Sequence, residues 1–219
     1  MKRIACLYTV YSVIEPFTRQ LREAVPADTL IHTLYDDFLV TDPMDTGAFS
    51  DTNMERLRHD LCACALTGAD VIVVSCSTIT PGVRRLRGEF SVPIVAVDDA
   101  MMRQAVTMGR KIGLIATANS TREPSSQALL AAADEAGKSV DLEVRCDQSA
   151  IRALNAGDAA EHDRLVLAMA DQLLDRDVIV LAQASTAYMA PAIQERTGIP
   201  VVTSPALCIQ DVCRILAEG

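Results

Sequence analysis

Short β-rich runs alternate along the chain with longer stretches in which apolar residues recur at helical spacing. Nearly continuous apolar runs such as VIVV (71–74) and VIVL (178–181) are typical of parallel strands that are covered on both faces. The pattern predicts strands at 3–9, 29–35, 70–75, 92–97, 111–117, 140–145, 177–182 and 199–204. It predicts helices at 15–24, 52–67, 81–88, 99–109, 122–136, 158–175, 188–197 and 205–217. This alternation predicts an α/β fold, in which ligands bind beyond the carboxyl ends of the strands.

One stretch of the chain has a second copy. Residues 70–97 and 177–204 each contain an Asp-led strand, a turn of small hydroxyl residues, a helix and a strand that opens with x-Pro-[IV]-V. Aligning the turns by their letters pairs Cys-Ser-Thr at 76–78 with Ala-Ser-Thr at 184–186, with one residue inserted in the second copy. The repeat predicts two similar α/β lobes with an equivalent turn in each, and a cleft between the lobes that receives both turns.

Composition and charge narrow the classes of partner. The chain has 219 residues, half of them hydrophobic, and a net charge of −9 with no basic run. A nucleic-acid or anionic-membrane partner would need clustered Lys and Arg, so we expect a small-molecule partner. The helix at 52–67 opens with the capping-box spacing Thr52-x-x-Glu55, and Gly68 fits its end. The apolar stretch at the N-terminus is too short for a signal peptide or a membrane span, and we expect a cytoplasmic protein.

Cysteine is the residue type with the most informative positions. Seven cysteines, an odd number without an export signal, indicate free thiols in a reducing compartment. Cys62 and Cys64 lie two apart in a predicted helix, where their side chains point in different directions, and the three histidines show no ligand spacing. We therefore predict no metal site. Cys76 differs from the others because it follows a strand directly and stands in a Ser-Cys-Ser-Thr turn.

Three motifs in order resemble the aspartate/glutamate/hydantoin racemase superfamily. They are SCST at 75–78, IGLIATANSTREP at 112–124 and LAQAST at 181–186, and the resemblance extends over essentially the whole chain. It implies two pseudo-symmetric α/β lobes, here 1–98 plus 205–219 and 99–204, with a cofactor-independent active site in the cleft between them. Relatives include maleate isomerases and arylmalonate decarboxylases. In the racemases of this superfamily, one cysteine from each lobe flanks the α-carbon of the substrate.

The chemistry of such a reaction explains the residues in the first turn. A proton next to a carboxylate is very weakly acidic, so its removal needs a base in contact and hydrogen-bond donors on the carboxylate oxygens. Cys76 precedes a helix predicted to begin near Pro81, where backbone N–H groups and the helix dipole favour a thiolate. Ser77 and Thr78 supply hydroxyl and amide donors. The resemblance suggests further carboxylate contacts from Thr117, Asn119, Ser185 and Thr186, and Tyr8 and Thr9 close the first strand at the corresponding edge.

These residues also have ordinary structural interpretations. The Ser and Thr side chains can bond to their own backbone in turns, Thr117 and Asn119 can cap the helix near 122, and Tyr8 can be a half-buried aromatic residue. A cysteine at the end of a strand is commonly a small buried apolar residue.

The second turn departs from the two-cysteine pattern, because alignment by letters places Ala184 where the second thiol is expected. Cys76 alone can exchange a proton on one face of the substrate or add to a double bond. Tyr188, Ser185 or a water molecule are candidates for the missing acid. We therefore expect a racemase or isomerase of a small amino acid, hydantoin or dicarboxylate that needs no cofactor, with a homo-oligomer left open. The alternatives are a single-cysteine decarboxylase of a malonate-type acid and a carboxylate-binding protein without activity.

Overall fold

Two four-stranded parallel sheets organise the chain, and the computed structural model describes residues 1–218 of it. The chain divides into two compact units. The first unit comprises Met1–Val97 and the residues from Ala206 onward, and the second comprises Asp98–Pro205. Within each unit the strands have the same order, with the first strand between the second and the third, and the fourth next to the third. The predicted α/β class with two similar parallel sheets is confirmed.

The first unit contains strands β1 to β4 in the order β2-β1-β3-β4, all parallel. The strands are β1 (Arg3–Tyr8), β2 (Leu30–Tyr35), β3 (Val71–Val74) and β4 (Ile94–Ala96). The helices are α1 (Tyr11–Ala24), α2 (Phe38–Thr46), α3 (Asp51–Leu66), α4 (Thr80–Leu86) and, from the end of the chain, α10 (Ser204–Glu218). Short 3₁₀ segments lie at Ser77–Ile79 and Arg87–Glu89.

Alternate residues of the central strands enter two separate parts of the core of the first unit. Ile4, Cys6 and Tyr8 of β1 pack with residues of α1 and α10. Ala5 and Leu7 pack instead with residues of α3 and α4. Because both sets are buried, the strand has no polar face, which explains the unbroken apolar runs in the sequence.

The second unit repeats this architecture with the order β6-β5-β7-β8. Its strands are β5 (Lys111–Ala116), β6 (Asp141–Cys146), β7 (Val178–Leu181) and β8 (Val201–Thr203). Its helices are α5 (Asp99–Met108), α6 (Asn119–Glu135), α7 (Gln148–Asn155), α8 (Ala159–Ala170) and α9 (Ala190–Thr197), and a 3₁₀ segment spans Ala184–Met189. Ile115, Ile179 and Leu181 pack against α8 and α9 in one buried cluster.

The Asp that begins each copy of the repeat connects neighbouring strands. The Asp70 carboxylate accepts a hydrogen bond from the backbone N–H of Arg3 at 2.7 Å. The Asp177 carboxylate accepts one from Arg110 and one from Lys111, each at 2.8 Å. These bonds lower the pKa of Asp177. Each Asp therefore joins the beginning of the third strand to the beginning of the first strand of its own sheet.

The structure corrects several predicted boundaries. Ser50, rather than Thr52, caps α3: its hydroxyl accepts from the backbone N–H of Asn53, whose side chain accepts from the backbone N–H of Ser50. Helix α1 begins at Tyr11, four residues before the predicted start at 15. Two helices were not predicted, α2 and α7. The sequence of α2, FLVTDPMDT, contains a proline and β-branched residues and so lacks a helical signal.

Candidate functional site

Cys76 lies two residues beyond the end of β3. The backbone of Cys76 is extended (φ −124°, ψ 118°), and the residue caps the 3₁₀ segment Ser77–Ile79, which continues into α4. Ser75 holds this end of β3 to β1, because its backbone N–H donates to the carbonyl oxygen of Leu7 at 3.0 Å. The Cys76 thiol is free and half-buried, and it packs against the apolar cluster of the first unit that includes α3 and α4. The side chain thus lies at the carboxyl edge of the sheet, as in other open α/β sheets that bind ligands there.

Thr9 directly follows β1, the neighbouring strand, at the same edge. Its side chain is only 1% exposed, and within residues 1–218 its hydroxyl oxygen has no hydrogen-bond partner. A buried hydroxyl without a partner is unfavourable by about 1–3 kcal/mol, so it needs an explanation. Ser77 is buried and Thr78 half-buried in the segment that follows Cys76. This edge of the first unit therefore combines a half-buried thiol with a buried hydroxyl that has no partner within residues 1–218.

Tyr8 is the last residue of β1, but its side chain is buried in the core of the first unit. Its ring is fully buried and packs edge-on against Phe17, with 6.1 Å between ring centroids. Its hydroxyl shares a hydrogen bond of 2.7 Å with the hydroxyl of Thr18. Burial raises the pKa of Tyr8, as does the neighbouring Cys6. The ordinary structural interpretation accounts for Tyr8, and we leave it out of the candidate site.

In the second unit, Gln183 and Thr117 connect the ends of β7 and β5. The side-chain oxygen of Gln183, Oε1, accepts hydrogen bonds from the backbone N–H of Thr117 at 2.6 Å and from its hydroxyl at 3.0 Å. Thr117 is fully buried, and Gln183 is half-buried. The carbonyl oxygen of Gln183 also accepts from the hydroxyl of Thr186 at 2.8 Å. Two hydroxyls of the predicted set are therefore used inside this turn.

Strand register shows which residue of the second unit corresponds to Cys76. The last paired residue of β3 is Val74, opposite Leu7, and the last of β7 is Leu181, opposite Ile115. Two residues further along stand Cys76 and Gln183. Both precede a 3₁₀ segment and both have an extended backbone, with Gln183 at φ −124° and ψ 137°.

The sequence alignment that made Ala184 equivalent to Cys76 is therefore wrong. Ala184 corresponds to Ser77, and Gln183 corresponds to Cys76. This equivalence needs no inserted residue, because 70–97 and 177–204 have equal length, although the 3₁₀ segment Ala184–Met189 has six residues where Ser77–Ile79 has three. By the same register, Thr117 in the second unit corresponds to Thr9 in the first. The Asp that leads each strand could have revealed this, since Asp70 and Cys76 are separated by the same number of residues as Asp177 and Gln183.

The remaining predicted contacts of the second unit differ in their surroundings. Ser185 is exposed, and Ala184 is half-buried. Asn119 is exposed, but its amide nitrogen donates to the side-chain oxygen of Gln148 at 2.9 Å, and its oxygen accepts from the thiol of Cys146 at 3.4 Å. Ser185 and Asn119 are both exposed, but the Asn119 side chain already bonds Gln148 and Cys146.

Tyr188, a candidate for the missing acid, forms a cluster with His162 and Asp163. Its hydroxyl donates to the Asp163 carboxylate and lies 3.0 Å from Nδ1 of the buried His162. Burial and the Asp163 carboxylate raise the pKa of Tyr188 to about 12. The Tyr188 proton is thus held by Asp163, and the raised pKa makes this hydroxyl a poor proton donor near neutral pH.

Within residues 1–218, no group of three or more His, Cys, Asp or Glu side chains is placed to hold a metal ion. The described helices are also too short or too polar to cross a membrane.

A comparison with protein families matches residues 9–212 to the family described as Asp/Glu/Hydantoin racemase. This match covers nearly the whole chain, so the resemblance seen in the sequence motifs is confirmed. A search of curated protein sequences gave no match.

Solved structures with the same fold include racemases and a decarboxylase. An allantoin racemase from Klebsiella pneumoniae is 17% identical with a TM-score of 0.70, covering 100% of this chain and 89% of its own. A glutamate racemase from Bacillus anthracis is 18% identical with a TM-score of 0.69, covering 99% and 82%. An arylmalonate decarboxylase is 17% identical with a TM-score of 0.55, covering 100% and 94%. At these identities the likeness supports the fold alone.

Proposed function

We propose that this chain, which belongs to the Asp/Glu/Hydantoin racemase family, catalyses proton transfer at the carbon next to a carboxylate of a small acid, with Cys76 as the acid/base. The substrate class is an amino acid, a hydantoin or a dicarboxylate. The reaction uses no cofactor, because a thiolate and hydrogen-bond donors suffice for it.

The observation that carries the proposal is the pairing of Cys76 with Thr9 at one edge of the first sheet. β1 and β3 are neighbouring strands, and these two residues follow their carboxyl ends. A buried Thr9 hydroxyl without a partner is unfavourable in the free protein and becomes satisfied when it donates to a substrate carboxylate oxygen.

In the proposed step, the Cys76 thiolate removes the proton from the α-carbon. An S–H bond forms, the C–H bond breaks, and its electron pair moves onto the carboxylate oxygens. Thr9, together with the turn that contains Ser77 and Thr78, donates hydrogen bonds to those oxygens as their charge grows. Ser185 is proposed as a further contact of the carboxylate. The Thr117 and Thr186 hydroxyls donate to Gln183, so we propose that they hold this turn and do not contact the substrate.

A second candidate is the decarboxylation of a malonate-type acid. It is favoured by the single thiol, because a decarboxylation needs only one proton donor, whereas racemisation needs a group on each face of the substrate. Gln183, which corresponds to Cys76 by register, cannot serve as an acid or base near neutral pH.

The experiment that tests the proposal compares Cys76→Ser with Cys62→Ser, a change at the exposed cysteine of α3. Both proteins and the wild type are incubated in D₂O with L-aspartate, L-glutamate, allantoin, maleate and an arylmalonate, and deuterium uptake, optical rotation and CO₂ release are measured. We expect Cys76→Ser to lose activity by about a hundredfold or more, because a hydroxyl is much harder to ionise than a thiol. Cys62→Ser should match the wild type.

Two outcomes would contradict the proposal. One is wild-type turnover by Cys76→Ser at unchanged melting temperature. The other is an inactive wild type in which Cys76 reacts with iodoacetamide no faster than Cys62 and is not protected by any of these acids, which would indicate a protein without an activated thiol.

A further inference from the structure

We propose that Asp36 and Asp60 share a single proton in the first unit, and that loss of this proton as the pH rises releases the beginning of α2 from α3. The pair is a pH-sensitive switch at the carboxyl edge of the first sheet. The inference does not depend on the proposed role of Cys76, because it concerns only how α2 is held.

Asp36 lies beside Thr9 at this edge. Strand register pairs Tyr35 of β2 with Tyr8 of β1, and the next residues of the two strands are Asp36 and Thr9. The backbone N–H of Asp36 donates to the carbonyl oxygen of Tyr8 at 2.9 Å, and the Asp36 side chain is buried. A change in the charge or position of Asp36 therefore acts at the edge that carries the candidate site.

The Asp36 carboxylate connects α2 to α3. Its Oδ1 accepts from the backbone N–H of Phe38, the first residue of α2, at 3.1 Å, and its Oδ2 accepts from Nε of Arg56 on α3. The Arg56 guanidinium also lies over the Phe38 ring, 5.1 Å from its centroid. Both oxygens of Asp36 thus accept hydrogen bonds, one of them from a cation, which favours the ionised form of Asp36.

Asp60 stands one helical turn after Arg56 on α3, and its carboxyl group is hydrogen-bonded to that of Asp36. Oδ2 of Asp60 is buried and has no donor within residues 1–218. Ionised carboxylates only accept hydrogen bonds, so this bond requires a proton on one of the two groups. Because Asp36 is paired with Arg56, the proton belongs to Asp60.

The surroundings of the two carboxyl groups separate their pKa values. Burial and the hydrogen bond with Asp36 raise the pKa of Asp60 to about 7. Burial also acts to raise the pKa of Asp36, but the hydrogen bonds with Arg56 and Asp60 outweigh it and lower that pKa. Other charged or titratable groups beside the pair are Tyr35 and Asp37 next to Asp36, and Arg56 and Cys64 on α3.

The sign of the pH dependence follows from the raised pKa of Asp60. The folded protein holds this proton more tightly than the unfolded chain does, so the stabilisation is fully present below the ordinary pKa of Asp, about 3.9. It is lost as the pH rises through about 7. Above that pH two carboxylates share one guanidinium, and their repulsion is relieved when Asp36 and the first residues of α2 move away from α3.

Carbon-13 NMR of protein labelled in the aspartate carboxyl groups tests the shared proton. We expect one aspartate carboxyl of the wild type to titrate between about pH 6 and 8, well above the ordinary range. Asp60→Asn should lose this titration, whereas Asp45→Asn, at an exposed carboxyl of α2, should retain it. A wild type in which every aspartate carboxyl titrates below about pH 5.5 would overturn the proposal, and so would a titration near pH 7 that persists in Asp60→Asn.

Hydrogen exchange of backbone amides tests the release of α2. After correction for the intrinsic effect of pH, protection of the α2 amides in the wild type and in Asp45→Asn should fall about tenfold between pH 5.5 and 8.5, while protection in α6 stays constant. Asp60→Asn donates an amide N–H to Asp36 without a titratable proton, so its α2 protection should be the same at both pH values. Equal α2 protection at both pH values in the wild type would overturn the switch even if Asp60→Asn did not fold.

Discussion

At the residue scale, Thr9 can be compared with Thr29. Both are buried, and neither hydroxyl has a hydrogen-bond partner within residues 1–218. Thr9 follows the carboxyl end of β1, next to the strand that leads to Cys76, whereas Thr29 precedes β2 at the opposite edge. If the Thr9 hydroxyl binds the substrate, replacing Thr9 should affect the reaction, whereas replacing Thr29 should not.

We predict that Thr9→Val lowers deuterium exchange about tenfold while leaving the free energy of unfolding unchanged or raising it by about 1 kcal/mol, since valine has the same shape and no unsatisfied hydroxyl. The measurements are exchange in D₂O and urea unfolding. Thr29→Val should show the same change in stability with wild-type exchange. Equal loss of exchange in both variants would remove the argument for Thr9.

The residue scale also shows the limits of the sequence. Cys76 could be located after a strand because VIVV is an unmistakable buried strand with a turn beyond it. Gln183 was missed because Ser185-Thr186 stands one position beyond the residues that strand register makes equivalent to Ser77-Thr78. Matching identical residues in the sequence carries no information about that register. Tyr8 ends β1 as expected, but it was named as a ligand contact because the direction of a strand-end side chain depends on packing against α1, which the sequence does not reveal.

At the scale of elements, the close approach of α5 and β7 explains a glycine. An added Cβ at Gly109 would lie 2.2 Å from Cβ of Asp177, whose carboxylate holds the first residues of β5. The backbone of Gly109 is extended (φ −169°), so the requirement is space and not an unusual conformation. The end of α5 and the beginning of β5 are thus positioned by one Gly-Asp contact.

We predict that Gly109→Ala lowers the free energy of unfolding by about 2–3 kcal/mol, because either the backbone or Asp177 must move. Gly88→Ala is the control, since an added Cβ at Gly88 meets nothing within 4 Å. Urea unfolding followed by circular dichroism measures both. A loss of less than about 0.5 kcal/mol in Gly109→Ala would show that the contact relaxes easily.

The elements that sequence patterns predicted well are those whose stability is local or strongly patterned. The eight strands were all anticipated, because each is a short apolar or β-branched run or, as in β6, an alternation of polar and apolar residues. Helix α2 was not, since what favours it is the Asp36 carboxylate, which accepts from the backbone N–H of Phe38 at 3.1 Å, and the contact of Leu39 with the core. Such tertiary contacts override weak intrinsic propensity.

At the scale of the whole molecule, the first unit is built from both ends of the chain. Helix α10 returns after the entire second unit and places Cys208, Ile209 and Val212 in the same buried cluster as Ile4 and Cys6 of β1. The core of the first unit is therefore incomplete until the last residues are in place. Shortening one fully buried side chain of α10 should therefore destabilise a core whose other residues come mainly from the N-terminal part of the chain.

We predict that Val212→Ala lowers the free energy of unfolding by about 1–2 kcal/mol, because it removes two buried methyl groups and leaves a small cavity. Cys6 is the reporter, since burial raises the pKa of its thiol to about 12 and keeps it unreactive while α10 is packed. In a urea series with iodoacetamide and mass spectrometry, Cys6 should be alkylated at lower urea in Val212→Ala. Leu66→Ala, at a side chain that is 88% exposed, should behave as the wild type. If Val212→Ala left Cys6 protected to the same urea concentration, α10 would contribute little to the stability of the β1 core, and its contact there would be incidental to folding.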